Sequence, residues 1–199
     1  MKQLHRKDLF GWSEFNKERN LDFHSVLWVR DGGNVLIDPL PMSEHDHSHL
    51  QRLGGVNFII ITNSEHCRDA EHIANSTGAP IYGPSGEEDT FPIACDRWLH
   101  DHEEIVPGLI AYQLEGSKTP GELALLLEHT TLITGDLIRC QLGGELCMLP
   151  ETKLTDVHKA IHSIKRIAEL PGIKAVLPGD GWPLFNHGSE ALHRLARSL

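Results

Sequence analysis

A continuous apolar run at residues 57–62, Asn-Phe-Ile-Ile-Ile-Thr, restricts the fold of this chain more than any other feature. A strand without polar alternation must be covered on both faces, because either face would otherwise present isoleucine to water. Helical spacing of apolar residues precedes the run at residues 43–53, and a second such segment follows it and ends near residue 77. The sequence therefore predicts a buried sheet with helices packed against it.

The rest of the chain continues this alternation of strands and helices. Residues 25–30 and 34–38 predict a hairpin around Asp31-Gly32-Gly33, and residues 105–136 predict a β meander. An amphipathic helix is expected at 155–170, a buried strand at 174–177 and a last helix near the C-terminus. No segment is rich enough in Gly, Ser or Pro to be a linker. We therefore expect one domain, residues 1–199, with stacked sheets and helices outside them.

The charge of the chain excludes some classes of partner. Its formal net charge is −10, whereas nucleic acid and anionic membranes both require a basic surface. The N-terminal residues lack the apolar segment of a secretory signal, and none of the four cysteines forms a CxxC pair. We therefore expect a cytoplasmic protein with reduced thiols, binding neither nucleic acid nor membrane, and a homo-oligomer stays compatible with the sequence.

Polar residues directly after buried strands are the candidate functional residues, because α/β folds commonly place catalytic and binding side chains at strand ends. Such residues occur at 62–68, 134–136 and 178–181, and a further polar loop at 117–122 precedes a strand. The histidine clusters at 45–49 and 100–102 lie elsewhere, on a predicted helix and a predicted turn. We expect these histidines to be exposed and away from the cleft.

The motifs resemble those of the metallo-β-lactamase superfamily. The family has an LID strand end, TH-x-H-x-DH after the next core strand, then TPGH, TGD and PGHG. This chain has LIDP at 36–39, TNSEHCR at 62–68, TPGE at 119–122, TGD at 134–136 and PGDG at 178–181. The resemblance covers nearly the whole chain. It implies an α+β fold, the four-layer αβ/βα sandwich with two mixed sheets and helices on both outer faces.

Most metal-ligand positions of that family carry other residues here. In the best register they are occupied by Asn63, Glu65, Cys67, Arg68, Glu122, Asp136 and Asp180. Only Asp136 keeps the family's residue type, and His66 lies one residue out of register. Zinc prefers imidazole and thiolate ligands, and an arginine cannot ligate a metal. A standard binuclear zinc site is therefore not expected.

The resemblance predicts a cluster of acids, Glu65, Glu122, Asp136 and Asp180, that converge near Arg68. Closely spaced carboxylates need a cation to stay ionised. That cation is either a divalent ion with oxygen ligands, such as Mg²⁺, Mn²⁺ or Ca²⁺, or Arg68 itself, paired with two carboxylates. We expect Arg68 to replace the metal, so that no cofactor is bound.

Two functions are compatible with these residues, both with a small molecule in the cleft at the strand ends. The first is a hydrolase-like protein acting on a small ester, thioester, amide or phosphoester. Its expected catalytic residues are Glu65, His66, Asp136 and Asp180, and its expected substrate-binding residues are Asn63, Arg68, Lys118, Glu122 and Trp182. The alternative is a catalytically inactive binding or assembly protein on the same fold, with Arg68 in place of the metal. Cys67 is expected to be an inert thiol.

Overall fold

The computed structural model describes residues 1–199 and contains two large β-sheets. The first sheet has seven strands in chain order: β1 (Lys2–Gln3), β2 (Leu9–Asn16), β3 (Leu21–Trp28), β4 (Val35–Ile37), β5 (Phe58–Ile60), β6 (Ile81–Pro84) and β7 (Arg97–Leu99). Pairing is antiparallel from β1 to β4 and parallel from β4 to β7. The predicted hairpin therefore forms between β3 and β4, and the apolar run contains the central strand β5.

The second sheet has five strands, in the order β14-β11-β10-β9-β8. Its strands are β8 (Glu104–Val106), β9 (Leu109–Leu114), β10 (Glu122–Leu127), β11 (Thr131–Thr134) and β14 (Ala175–Pro178). Only the β11–β14 pair is parallel, and the others form the predicted meander. A separate hairpin consists of β12 (Ile138–Leu142) and β13 (Glu145–Met148).

Four α-helices lie outside the sheets: α1 (Glu44–Arg52), α2 (Ala70–Thr77), α3 (Val157–Ala168) and α4 (Gly188–Ser198). The Ser43 hydroxyl caps α1 by accepting from the Asp46 backbone N–H at 3.2 Å, and Gly78 ends α2 with φ of 74°. Both helix ends agree with the sequence prediction. None of the four helices has the length and apolar composition that crossing a bilayer requires.

Three apolar cores separate four layers, because successive residues of a strand face opposite sides of its sheet. In β4, Leu36 packs under α1 and α2, while Val35 and Ile37 face the second sheet. In β10, Leu126 packs under α3 and α4, while Leu125 faces the first sheet. The predicted αβ/βα sandwich is therefore confirmed, with a helical layer on each outer face.

Strands β2, β12 and β13 were not predicted from the sequence. The outer half of β2 is largely exposed, so the segment lacks the apolar alternation by which a half-buried strand is recognised. The β12–β13 hairpin is two short strands with an irregular register between Arg139 and Leu142. Both segments border the strand ends where the polar residues gather.

Gly116 holds the loop before β10 against the start of α3. Its φ is 81°, and a Cβ there would clash with the Asp156 carbonyl and the Ala160 nitrogen. We expect Gly116→Ala to lower the free energy of unfolding by about 2–4 kcal/mol, combining left-handed strain with a backbone clash. Gly78→Ala is the matched control, since Gly78 has similar φ of 74° and open space around it. Its expected loss is about 1 kcal/mol. If urea unfolding shows the same loss of unfolding free energy in Gly116→Ala and Gly78→Ala, the backbone clash at residue 116 has no effect.

Candidate functional site

One edge of the sandwich gathers polar side chains from both sheets. Asp38 follows β4, residues 62–66 follow β5, and Asp136 follows β11. Glu122 opens β10, which runs antiparallel to β11 and therefore begins at the same edge. The carboxyl ends of parallel strands are a common location for sites in such sheets. The first sheet thus contributes Asp38 and His66, and the second contributes Glu122 and Asp136.

His66 is buried between two carboxylates. Its Nδ1 lies 2.8 Å from Asp38 Oδ2, and its Nε2 lies 3.4 Å from Asp136 Oδ2. Burial alone would lower the pKa of His66, but Asp38 and Asp136 outweigh burial and the nearby Arg68, and they raise this pKa to about 9. His66 is therefore an imidazolium at neutral pH, and it bridges the two sheets as a cation.

The carboxylate of Asp38 is held by Thr62, which follows β5. The Thr62 backbone N–H and hydroxyl donate to its two carboxylate oxygens at 2.7 and 2.6 Å. Its own backbone is left-handed, with φ of 47°. Such a conformation in a residue other than glycine is costly and persists where surrounding contacts enforce it. Asp38 was not among the residues expected from the sequence, although it is the aspartate of the LIDP motif.

Lys118 is the second cation at Asp136. Its Nζ lies 2.9 Å from Asp136 Oδ2 and 2.5 Å from Glu65 Oε2. The Lys118 side chain is 14% exposed and that of Asp136 is 5% exposed, whereas that of Glu65 is 51% exposed. Burial would raise the pKa of Asp136, but His66 and Lys118 hold it well below the usual range for a carboxyl. The ammonium is therefore fixed on its buried side and reaches the cleft beside a more exposed acid.

Glu122 is a buried acid that faces the protein rather than the cleft. Its Oε2 accepts from the Ser117 hydroxyl at 2.6 Å, and its Oε1 accepts from the backbone N–H groups of Asp136 and Leu137 at 2.9 and 2.8 Å. Burial, and then the charge of Asp136, raise the pKa of Glu122. Its carboxyl group therefore orders the turn that carries Asp136 and the loop that carries Lys118.

Arg68 does not bridge carboxylates, which corrects the expectation from the sequence. Its guanidinium donates to the backbone carbonyls of His24 at 2.5 Å, Asp38 at 2.8 Å and Gly179 at 3.3 Å. Arg68 has φ of 41°, and this left-handed turn directs its side chain to the ends of β4 and β14 and to the part of β3 beyond its pairing with β4. Strand ends carry carbonyls without ladder partners, and a guanidinium with five donors satisfies several at once. Arg68 therefore ties the two sheets together.

Asp180 is paired with Arg139 of β12 and not with Arg68. Arg139 Nε donates to Asp180 Oδ1 at 2.8 Å, and its Nη2 contacts Oδ2. Gln141 adds a weaker contact to Oδ1 at 3.3 Å. The expected pairing of Asp180 with Arg68 is therefore wrong, because a cation from the unpredicted hairpin β12–β13 engages Asp180. Arg139 was missed for the same reason.

The remaining predicted residues divide between the inside and the surface. Asn63 is buried and donates through Nδ2 to Asp136 Oδ2 at 3.1 Å. Trp182 is 60% exposed and does not line the cleft, and its backbone N–H donates to the Cys140 carbonyl of β12 at 2.8 Å. Cys67 is half-buried, and burial raises the pKa of its thiol to about 12. Its thiol is therefore not an activated nucleophile.

The histidine clusters lie away from this site, as expected. His45, His100 and His102 are exposed. His47 and His49 are only partly exposed, because the His49 ring packs against Phe10 with their centroids 5.5 Å apart. None of these five histidines lines the cleft.

The cleft itself is a polar cavity of about 270 Å³ in front of Lys118 and Asp136. Its outer wall is the β2–β3 hairpin, which the sequence did not indicate. Phe23 in this wall has the guanidinium groups of Arg68 and Arg19 at 5.6 and 5.8 Å from its ring centroid. The lining residues are Asn16, Glu18, Arg19, Phe23, Leu40, Glu65, His66, Arg68, Lys118 and Asp136.

The two facing sheets, the helical layers and the polar cleft at the strand ends define a four-layer sandwich protein. The sequence profile of the metallo-beta-lactamase superfamily matches residues 1–199, and the chain belongs to that superfamily. No curated relative matches the sequence.

Solved structures agree on the fold. A metallo-beta-lactamase from Pontibacter korlensis has 15% identity and a TM-score of 0.77, over 98% of this chain and 97% of that one. The FIM-1 metallo-beta-lactamase from Pseudomonas aeruginosa, in its mono-zinc form, has 12% identity and a TM-score of 0.73, over 100% and 95%. A protein solved in a di-iron-bound form has 22% identity and a TM-score of 0.68, over 90% and 96%. At these identities the likeness concerns the fold alone.

The metals of those neighbours do not fit the donor set of this chain. Asp136 Oδ2 already faces Lys118, His66 and the Asn63 amide. Both oxygens of Glu122 are filled by protein donors, and Asp180 is paired with Arg139. The acids at the family's metal-ligand positions are therefore already bound by cations and hydrogen-bond donors of the protein.

Proposed function

We propose that this superfamily member binds a small anionic molecule in its cleft, with Lys118 as the group that receives the anion. The observation that carries the proposal is the position of the Lys118 ammonium, which is held by buried Asp136 on one side and by half-exposed Glu65 on the other. A ligand anion can take the place of Glu65 without moving any buried group. A charge-assisted hydrogen bond would then form in a partly desolvated site.

The charge of the cleft supports an anionic ligand. The chain as a whole carries −10, yet the cleft lining has three Lys or Arg side chains for its three acids, and the charge of His66 is balanced by Asp38 behind it. Its cations are Arg19, His66, Arg68 and Lys118, and its acids are Glu18, Glu65 and Asp136. A nearly neutral cleft with a partly exposed ammonium accepts an anion more readily than the acidic surface around it. Phe23 adds an apolar face for the body of the ligand.

Inorganic phosphate is a suitable first probe, titrated by calorimetry. We expect Lys118→Gln to weaken phosphate binding about tenfold or more, because a charge-assisted hydrogen bond contributes about 1.5–3 kcal/mol. Glu65→Gln should strengthen binding, because the competing carboxylate loses its charge. Lys153→Gln is the control, since Lys153 is exposed and outside the cleft. Equal phosphate affinity in wild type and Lys118→Gln would refute the proposal.

Hydrolysis of a small ester, thioester, amide or phosphoester is the second candidate. The observation that favours it is the half-exposed Glu65 carboxylate beside the Lys118 ammonium. Glu65 would accept a proton from water, and Lys118 would stabilise the oxyanion. His66 cannot act as the base at neutral pH because it is already protonated, with its pKa raised to about 9. Of the four expected catalytic residues, Glu65 is the most exposed, which supports its role as the proton acceptor.

Turnover of p-nitrophenyl acetate and a β-lactam separates the two candidates. For a binding protein we expect little or no turnover of either compound. For a hydrolase using Glu65, turnover should be insensitive to chelator and should fall about 100-fold or more in Glu65→Gln. Chelator-sensitive turnover restored by zinc would contradict both candidates.

A further inference from the structure

We propose that the Lys118 ammonium occupies the cation position of this cleft, so that the protein binds no divalent metal there until Lys118 is removed. This inference holds whichever small molecule the cleft accepts. It rests on the two carboxylates that contact Lys118, on the charge next to Asp136 and on the way the Lys118 loop is held.

The first step is the coordination of the ammonium. Lys118 Nζ contacts one oxygen of Asp136 and one of Glu65. These are a buried and a half-exposed carboxylate, the pair of oxygen ligands with which proteins commonly hold Mg²⁺ or Mn²⁺ together with water. The ammonium therefore takes the contacts that such an ion would need.

The second step is charge. Asp136 Oδ2 has the Lys118 ammonium at 2.9 Å on its outer side and His66 Nε2 at 3.4 Å on its inner side. A divalent ion at Asp136 would lie within a few ångströms of the Lys118 ammonium, and the Arg68 guanidinium lines the same cleft. In a partly desolvated site this repulsion is poorly screened. Metal binding to the wild-type cleft is therefore strongly opposed.

The third step is the rigidity of the loop that presents Lys118. The carbonyl of Ser117 accepts from the Thr155 hydroxyl at 2.7 Å, and the Ser117 side chain donates to Glu122 at 2.6 Å. Gly116 packs against the start of α3. The backbone on the N-terminal side of Lys118 is thus fixed from two directions, so the ammonium is a built-in part of the site.

The experiment compares Mn²⁺ binding, by calorimetry and electron paramagnetic resonance, in wild type, Lys118→Ala and Lys118→Arg. Wild type and Lys118→Arg should show no specific binding. Lys118→Ala should gain a single site at least about tenfold tighter than any wild-type binding. The double variant Lys118→Ala with Asp136→Asn should lose this gain, because the buried ligand is neutralised.

Elemental analysis and thermal unfolding of the wild type provide a measurement that needs no variant. We expect no stoichiometric zinc, iron or manganese after purification without chelator, and no shift in Tm with EDTA or with Mn²⁺. Stoichiometric metal that depends on Asp136 would overturn the inference. So would a folded Lys118→Ala protein that binds Mn²⁺ no better than the wild type.

Discussion

Replacing Arg139 by methionine is expected to lower the free energy of unfolding by about 3–5 kcal/mol, the loss that follows when one member of a buried ion pair is removed. The Arg139 side chain is 9% exposed and that of Asp180 is 2% exposed, so water cannot take over the role of the guanidinium. Gln141 would be left as the remaining polar contact of Asp180, at 3.3 Å. Urea unfolding at pH 7 measures the loss.

The control is the double variant Arg139→Met with Asp180→Asn. It leaves no uncompensated charge, so it should recover much of the stability that the single variant loses. Lowering the pH should also narrow the gap between Arg139→Met and the wild type, because the isolated Asp180 then takes up a proton. Equal losses in the single and double variants would show that the methylene groups of Arg139, and not its charge, hold the β12–β13 hairpin in place.

The fold could be predicted because the residues of its central strands and helices carry sequence signals for the structures that they form. The run in β5 is apolar on both faces, the β3–β4 turn carries two glycines, and helix α2 ends at Gly78. Each of these signals lies within a few residues of the element it defines. Strand β2 gives no such signal, since its outer half is solvated and its pairing with β3 is set by the tertiary fold.

The sequence predicted most of the residues that form the site, but it predicted less well which cation contacts which carboxylate. Glu65, His66, Asp136 and Lys118 do lie together, because strand ends meet at one edge. The sequence suggested Arg68 as their cation, yet Arg68 turns toward backbone carbonyls. Its direction follows from a left-handed φ of 41° and from three convergent carbonyls. Neither feature can be read from the order of residues.

For Lys118, too, the sequence predicted the residue but not the carboxylate that it contacts. It was expected to contact a ligand, and its loop was recognised from a Thr-Pro-Gly-Glu motif. Its partner Asp136 lies 18 positions away along the chain and was assigned to Arg68 instead. Which of two cations faces a given acid depends on the packing of the Gly116 loop against α3. That packing is a property of the folded protein.

The second large effect is expected in the pH dependence of stability. The pKa of His66 is raised to about 9 in the folded protein and is near 6.5 when unfolded. Its contribution to stability is therefore complete below about pH 6.5 and is lost as the pH rises toward 9. The full difference corresponds to about 3 kcal/mol. Unfolding in urea at a series of pH values from 6 to 10 should show this decline.

His66→Gln isolates the contribution of the imidazolium. The pKa of Glu122 is also raised, and the charge of His66 opposes that rise, so His66→Gln would shift the titration of Glu122 as well. Both proteins are therefore compared in a Glu122→Gln background, which removes this second titration. Subtracting the two pH profiles should therefore leave a decline between about pH 6.5 and 9 that belongs to His66 and its partners Asp38 and Asp136. A difference that stays constant from pH 6 to 10 would mean that His66 is neutral in the folded protein. Lys118 would then be the only cation that neutralises Asp136.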